Sequence, residues 1–600
     1  MSHTPPFEHY AERRDTVDPY ADNLDIDVLI AGAGFGGLFL LHEMRKEGYQ
    51  TVVYEAAEGI GGTWRWNVHP GSRVDSEVPA YELSIPEVWK DWTWSTNFPN
   101  YQELQRYFEH VDEVLNLSKD CAFNTTIVSA EFSEETGKWT IKALDGRICR
   151  CRFFIVATGF TTKRFVPEFK GIDKYQGKMY HSSAWPTEGV DVCGKRCAVI
   201  GTGPSGVQIV QEWSPFVGDL KVLQRTPNFA IPMGRKELTA EEQNQLKPLY
   251  PKLFAHRELS YSGFTVDMEE KNTFDVTQQE REAFYEKLWT EGSFAFWLSN
   301  FKDYLLDYKA NREAYSFWAR KQRAKIYDVR KRDILCPLDP PPHYLFGIKR
   351  PCLEQRYYEQ FNRPNIDIID CSASCAGQND IAEFTETGIR MASGIHYDLD
   401  VIALATGFDI TTGAITELGL RSIHGTCLKD EWKATAYSYL GTTISGYPNL
   451  FYLYGPQGPM VLSNGAATVE VQGRWIRDVI KKIDAQGLKY IDPTKEATVE
   501  WKKRINELSH KTLFSSARRS TYMGGGIPGK APQQVNYTGG LGKYKEEIRA
   551  ALPGWKGFRI VAGAAAPGTA TLHSLKYSDS RVRHESVHNI RETGDCRTSM

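Results

Sequence analysis

The chain has 600 residues, 41% hydrophobic and 12% aromatic, with a formal net charge of -3, which is enough for about three or four domains and a substantial core. The near-neutral balance gives no reason to expect nucleic acid or an anionic membrane surface as partner; no apolar run approaches the ~20 residues of a bilayer span, and Met1-Ser2-His3-Thr4-Pro5-Pro6 lacks a signal pattern, so a cytoplasmic protein is expected, with a monomer favoured. The eleven cysteines include no C-x-x-C and no Cys/His cluster with zinc spacing, which reads as free thiols, no metal site and no redox-active disulfide.

Residues 1–24 are polar and proline-containing and read as an arm. A short apolar run, Ile26-Asp27-Val28-Leu29-Ile30-Ala31, then leads into Gly32-Ala33-Gly34-Phe35-Gly36-Gly37 and a helical stretch. That strand-turn-helix context lifts a glycine pattern above coincidence: the glycines permit a tight turn, close approach to a pyrophosphate and close helix packing, with helix-start amides facing the anion. The next apolar run, Gln50-Thr51-Val52-Val53-Tyr54, ends in Glu55, where a carboxylate accepts from ribose hydroxyls and repels a 2′-phosphate, so this half suits FAD or NAD.

The pattern repeats. Cys197-Ala198-Val199-Ile200 leads into Gly201-Thr202-Gly203-Pro204-Ser205-Gly206, and Leu220-Lys221-Val222-Leu223-Gln224 ends in Arg225-Thr226, a cation and a hydroxyl that together suit the extra phosphate of NADPH. Two dinucleotide sites in one chain point to redox chemistry.

Glu237 to Leu246, Gln279 to Trp289 and Phe301 to Asp328 carry apolar residues at three-to-four spacing among Glu, Lys, Arg and Gln, and predict a helical insertion over 237–330 with little functional weight. Ala157-Thr158-Gly159 and Ala405-Thr406-Gly407 end apolar runs that look like sheet strands meeting a cofactor with small residues. The expected fold is therefore α/β, two interleaved Rossmann-like dinucleotide-binding domains with a helical insertion: the first domain over 25–160 and 396–560, the second, NADPH-binding, over 161–236 and 331–395. Residues 561–600 are a low-complexity tail on which no structure is expected.

Between the two turns lies Tyr175-Gln176-Gly177-Lys178-Met179-Tyr180-His181-Ser182-Ser183-Ala184-Trp185-Pro186. It resembles the fingerprint of type I flavin-dependent Baeyer-Villiger monooxygenases, F-x-G-x-x-x-H-x-x-x-W-[P/D], with Tyr175 in place of Phe. A second family pattern, [A/G]-G-x-W-x-x-x-x-[F/Y]-P-[G/M]-x-x-x-D, is matched by Gly61-Gly62-Thr63-Trp64, Pro70-Gly71 and Asp75, with His69 in place of Phe or Tyr. Further resemblance at Gly347-Ile348-Lys349-Arg350-Pro351, Gly455-Pro456-Gln457-Gly458-Pro459 and Tyr522 extends the likeness over about residues 25–558.

The resemblance implies FAD in the first half and NADPH in the second, and a small hydrophobic ketone converted with O2 to an ester or lactone through a C4a-peroxyflavin. A peroxide that attacks a carbonyl must stay deprotonated, which requires a fixed cation, and arginine keeps its charge on burial. By similarity Arg350 is that cation, Asp75 orients it, and Lys349 with Arg225 faces the NADPH phosphate. Glu55, Thr63, Trp64, Asp75 and Tyr81 are expected at the FAD wall beside the first turn, Arg73 and Arg350 beside the nicotinamide, and Met460, Val461 and Leu462 at the substrate pocket. His181 and Trp185 couple the domains; a lone histidine reads first as a structural hydrogen bonder. Thr521 replaces a tryptophan of many relatives, which predicts looser NADP retention. The alternatives are an N- or S-oxygenating flavin monooxygenase, which has less need of Arg350, and a cofactor-binding protein without activity.

Overall fold

Two sheets, each built around one of the glycine turns, organise the computed structural model, which describes residues 17–341, 344–372, 380–517, 521–524 and 530–563. The first sheet runs in the order Leu420–Arg421, Ile127–Ser133, Lys138–Ala143, Ile148–Val156, Asn23–Ala31, Thr51–Tyr54, Cys121–Ala122, and Leu450–Tyr452 also pairs with Ile148–Val156. Its central strands are parallel and buried along their C-terminal halves, which is why they read as apolar runs rather than alternating ones. The second sheet is parallel throughout, in the order Ile366–Asp370, Asp219–Gln224, Arg196–Ile200, Val401–Leu404, Lys178–His181.

The two turns are built alike. A Cβ on Gly32 would lie 2.7 Å from the Ala157 carbonyl oxygen, and one on Gly201 would lie 2.5 Å from that of Ala405. At Gly37 and Gly206 the added atom would come within 1.8 and 2.1 Å of the carbonyl oxygens of Gly32 and Gly201. The third glycine of each motif thus lets a helix, Phe35–Lys46 or Pro204–Trp213, press against its own turn. At Gly36 a Cβ would meet Leu453 Cδ1 at 2.8 Å, so packing also asks for a glycine there.

Three expectations are corrected. Val401–Leu404 pairs with Arg196–Ile200 and Lys178–His181, so the chain returns to the first sheet after this strand and not at residue 396. The reason is local: Ala405 must abut Gly201 as Ala157 abuts Gly32. The helix expected from Phe301 begins at Tyr308 and ends at Arg323, because the Asp307 side chain caps it by accepting from Ala310 N. Finally, Val561 and Ala562 close a strand, Phe558–Ala562, antiparallel to Leu488–Pro493, so the tail starts later than expected. Residues 564–600 and 1–16 of the expected tail and arm lie outside the described residues.

Two other insertion helices, Ala240–Leu246 and Gln278–Glu291, start at capping boxes on Thr239 and Thr277, each of which satisfies two helix-start amides. Among the described residues no helix is long and apolar enough to cross a membrane.

Candidate active site

Arg350 lies at a junction between distant parts of the chain. Its Nη2 donates to Asp75 Oδ1 at 2.6 Å and to Ser76 Oγ at 2.9 Å, and its Nη1 donates to the Ser463 and Val461 carbonyls at 3.1 and 3.4 Å. Phe294 and Phe264, both from the insertion, flank the guanidinium at 4.8 and 5.5 Å from their ring centres, a placement that favours a cation electrostatically. Burial works against the charge, but Asp75, Tyr454 and Tyr522 outweigh it, and the net effect raises the pKa above the ordinary arginine value. Arg350 Nε is buried and has no hydrogen-bond partner among the described residues.

On the first half, Glu55 is 6% exposed and accepts from Ala33 N at 2.6 Å and Ala57 N at 2.8 Å. Tyr81 accepts from Trp64 Nε1 at 3.1 Å and meets Phe35 edge to face at 4.9 Å; burial, first among several causes, pushes its phenol well up. Thr63 is exposed and pairs with Thr161. Gly34 and Gly62 stand so close that a Cβ on Gly62 would meet Gly34 Cα at 2.7 Å. These features fit FAD: a buried carboxylate at the strand end, glycine backbone that side chains leave open, and an aromatic wall beside Asp75.

On the second half, Gly203 has nothing within 4 Å of an added Cβ, which leaves open space before the helix Pro204–Trp213. Thr202 Oγ1 donates to the Thr226 carbonyl at 3.2 Å. Lys349 Nζ stands 4.3 Å from the centre of the Tyr344 ring. The ring favours the ammonium, yet burial and then the like charge of Arg225 prevail and lower its pKa to about 8. Two cations held close enough to disfavour each other fit the 2′-phosphate of NADPH. Arg73 donates to the Phe98 carbonyl at 3.1 Å.

His181 is held on both sides. Its Nε2 donates to the Gly407 carbonyl at 3.1 Å, while Nδ1 accepts from Ser183 N at 3.2 Å and faces Ser183 Oγ at 2.9 Å. Burial lowers its pKa, so it is a neutral hydrogen bonder between the linker and the end of the strand Val401–Leu404. Trp185 packs between Tyr180 and Trp213, with tilted rings whose centres are 5.7 and 5.6 Å away. The departure at Tyr175 is used: its hydroxyl donates to the Leu399 carbonyl at 3.0 Å, and Gly177 leaves it room.

Residues 26–235 match the family described as flavin-binding monooxygenase-like. The chain is 51% identical to the FAD-binding monooxygenase acrE of Aspergillus aculeatus over 90% of both chains. It is 40% identical to cyclopentanone 1,2-monooxygenase of a Comamonas species, over 90% of this chain and 97% of the other. Cyclohexanone monooxygenase of Rhodococcus sp. Phi1, solved with NADP+, superposes with a TM-score of 0.85 at 31% identity over 90% of this chain and all of the other. The chain belongs to the Baeyer-Villiger monooxygenases. Like them it is an FAD- and NADPH-dependent α/β enzyme that converts ketones to esters or lactones.

In this monooxygenase the sequence patterns miss part of the Arg350 surroundings. Ser76, Ser463 and Tyr454, whose hydroxyl donates to the Ser463 carbonyl at 3.0 Å, lack a distinctive spacing. Phe264 and Phe294 lie in the insertion, in a bend and a turn outside its helices, where no period marks them. Met460 and Val461 are 1% and 5% exposed; Val461 reaches Arg350 through its carbonyl, while Leu462 packs against the second sheet's core. The Thr521 side chain lies outside the described residues.

Proposed function

We propose that Arg350 and Asp75 carry the oxygen-transfer step and that the substrate is a small hydrophobic ketone. The observation that supports this most is the Arg350 guanidinium, clamped by Asp75, Ser76 and two carbonyls of the 460–463 loop, with Nε unpaired among the described residues. Bound FAD and NADPH supply reducing power and activated oxygen. Arg350 holds a permanent positive charge where negative charge develops on oxygen, first on the attacking atom and then on the former carbonyl oxygen. Asp75 fixes the orientation of the guanidinium so that no reorganisation is needed during the step. Phe264 and Phe294 exclude water from one side, and together with Val461 and Leu462 they favour an apolar ketone.

Around this centre, the turn Gly32–Gly37 with Glu55, Thr63, Trp64 and Tyr81 binds FAD. The turn Gly201–Gly206 with Arg225, Thr226 and Lys349 binds NADPH, and Arg73 meets the nicotinamide side. The FAD-binding and NADPH-binding domains correspond to the two sheets, with Val401–Leu404 in the second. Nine cysteines among the described residues are free, in keeping with a cytoplasmic setting.

Arg350→Ala tests the reading. Ester formation is expected to fall at least about 100-fold, the scale of one electrostatic contact in a transition state, while NADPH still bleaches the flavin and its oxidation ends in hydrogen peroxide. Unchanged ester formation across ketones of graded size would sink it.

A further inference from the structure

His69 stands where relatives have an aromatic residue, yet it is 3% exposed and makes polar contacts with two other segments. Its Nδ1 lies 3.1 Å from the Ser182 carbonyl oxygen in the linker, and its Nε2 lies 3.1 Å from Gln208 Oε1 on the helix Pro204–Trp213. Gln208 Nε2 in turn donates to the Arg73 carbonyl at 3.3 Å. The same loop presses on the helix at Gly71, where a Cβ would meet Glu212 Cγ at 2.9 Å and the Gln208 carbonyl at 3.0 Å.

We propose that His69 is a positioning residue, the pivot of a joint that sets the loop bearing Arg73 and Asp75 against the linker and the second nucleotide helix. The proposal rests on the assignment of that helix to NADPH. Both ring nitrogens face acceptors, but a neutral imidazole carries one N–H, and burial, ahead of its other causes, holds His69 neutral with a pKa of about 4. With Nδ1–H given to Ser182, Nε2 is satisfied only if the Gln208 carboxamide turns its nitrogen to His69 and releases Arg73. The joint therefore has two arrangements: the imidazole N–H goes either from Nε2 to Gln208 Oε1, with Gln208 still on the Arg73 carbonyl and the Ser182 carbonyl given up, or from Nδ1 to Ser182, with Gln208 turned to Nε2 and Arg73 released. Two more linker groups, Ser182 Oγ and Trp185 Nε1, are buried without partners among the described residues. Buried polar groups left unpaired favour a second arrangement that pairs them. The segment thus joins the two halves adjustably, and its setting fixes how the loop bearing Arg73 and Asp75 sits against the second nucleotide helix.

The test is a double-mutant cycle of His69→Phe and Gln208→Leu in the purified flavoprotein. Hydrogen exchange of linker residues 178–186, read without nucleotide, is expected to speed up about fivefold in each single variant, the scale of one lost buried hydrogen bond. Flavin reduction by NADPH is expected to slow by a similar factor, while NADP+ affinity stays within about twofold of wild type, since its phosphate contacts are elsewhere. The double variant is expected to be no worse than either single one, as for residues acting through one contact. Gln208 is half-buried on a helix surface, so its variant reads the joint even if His69→Phe folds poorly. Wild-type linker exchange in Gln208→Leu, or effects that multiply in the double variant, overturn the proposal. Because exchange is measured before nucleotide is added, this outcome stands apart from a failure of the NADPH or ketone assignments.

Discussion

The two glycine turns share a backbone and differ in electrostatic state. In the first, the Glu55 carboxylate has both oxygens occupied by backbone amides, Ala33 and Ala57, and the strand-end charge is satisfied within the protein. In the second, burial first and then the like charge of Arg225 push Lys349 down to about 8. The first arrangement suits a cofactor that stays through every turnover. The second holds a buried ammonium beside another cation, and on the proposed assignment an arriving phosphate relieves both penalties.

The largest expected effect comes from the third glycines. Gly37→Ala puts a Cβ 1.8 Å from the Gly32 carbonyl, and Gly206→Ala puts one 2.1 Å from that of Gly201; backbone must shift, at a cost of about 1–3 kcal/mol or more in each case. Gly37→Ala is expected to purify colourless. Gly206→Ala is expected to remain yellow but to resist bleaching by NADPH, which absorbance spectra decide. Flavin loss from Gly206→Ala would break the comparison, since the halves would then not be separable. Glu55→Ala comes next. It strands two buried amides, for a cost of about 1–3 kcal/mol each, and is expected to lower flavin content after gel filtration while NADP+ binding, followed by titration, persists.

Much of the fold is legible in the sequence because the parallel strands and their glycine turns are local features with a period and a spacing. Glu55 and Arg225 can be read for charge because each follows its strand directly. The contact between Arg350 and Asp75 spans 275 positions, and only the order of two family patterns points to it. Phe264 and Phe294 offer no such order: they approach Arg350 because the insertion folds back, and nothing in a helical period records which aromatic faces the core and which a guanidinium. The position of Val401–Leu404 is hidden for a related reason. A buried parallel strand has the same apolar composition in either sheet, and what assigns it is the register of Ala405 against Gly201.

The smallest expected effect is also the one that separates the halves most cleanly by pH. Lys349, with a pKa of about 8 without nucleotide, is ionised at pH 7 and loses its proton as pH rises through 8. A bound 2′-phosphate favours the ammonium and raises that value again, so NADPH binding takes up a proton above pH 8 and its affinity declines there by up to about tenfold per pH unit. NADH, which lacks the phosphate, is expected to show no such slope. Lys349→Met is expected to weaken NADPH by about tenfold at pH 7, the scale of one charge-assisted contact, and to abolish the slope. Stability moves the other way. The folded value lies below the ordinary lysine value of 10.5, so the ionised side chain costs the nucleotide-free protein stability at neutral pH, and that cost is relieved as pH rises from about 8 towards 10.5. Lys349→Met should then raise Tm at pH 7 while lowering NADPH affinity. A variant that loses both would show that Lys349 packs rather than waits for an anion, and the contrast between a satisfied charge and a penalised one would fail at the residue that carries it.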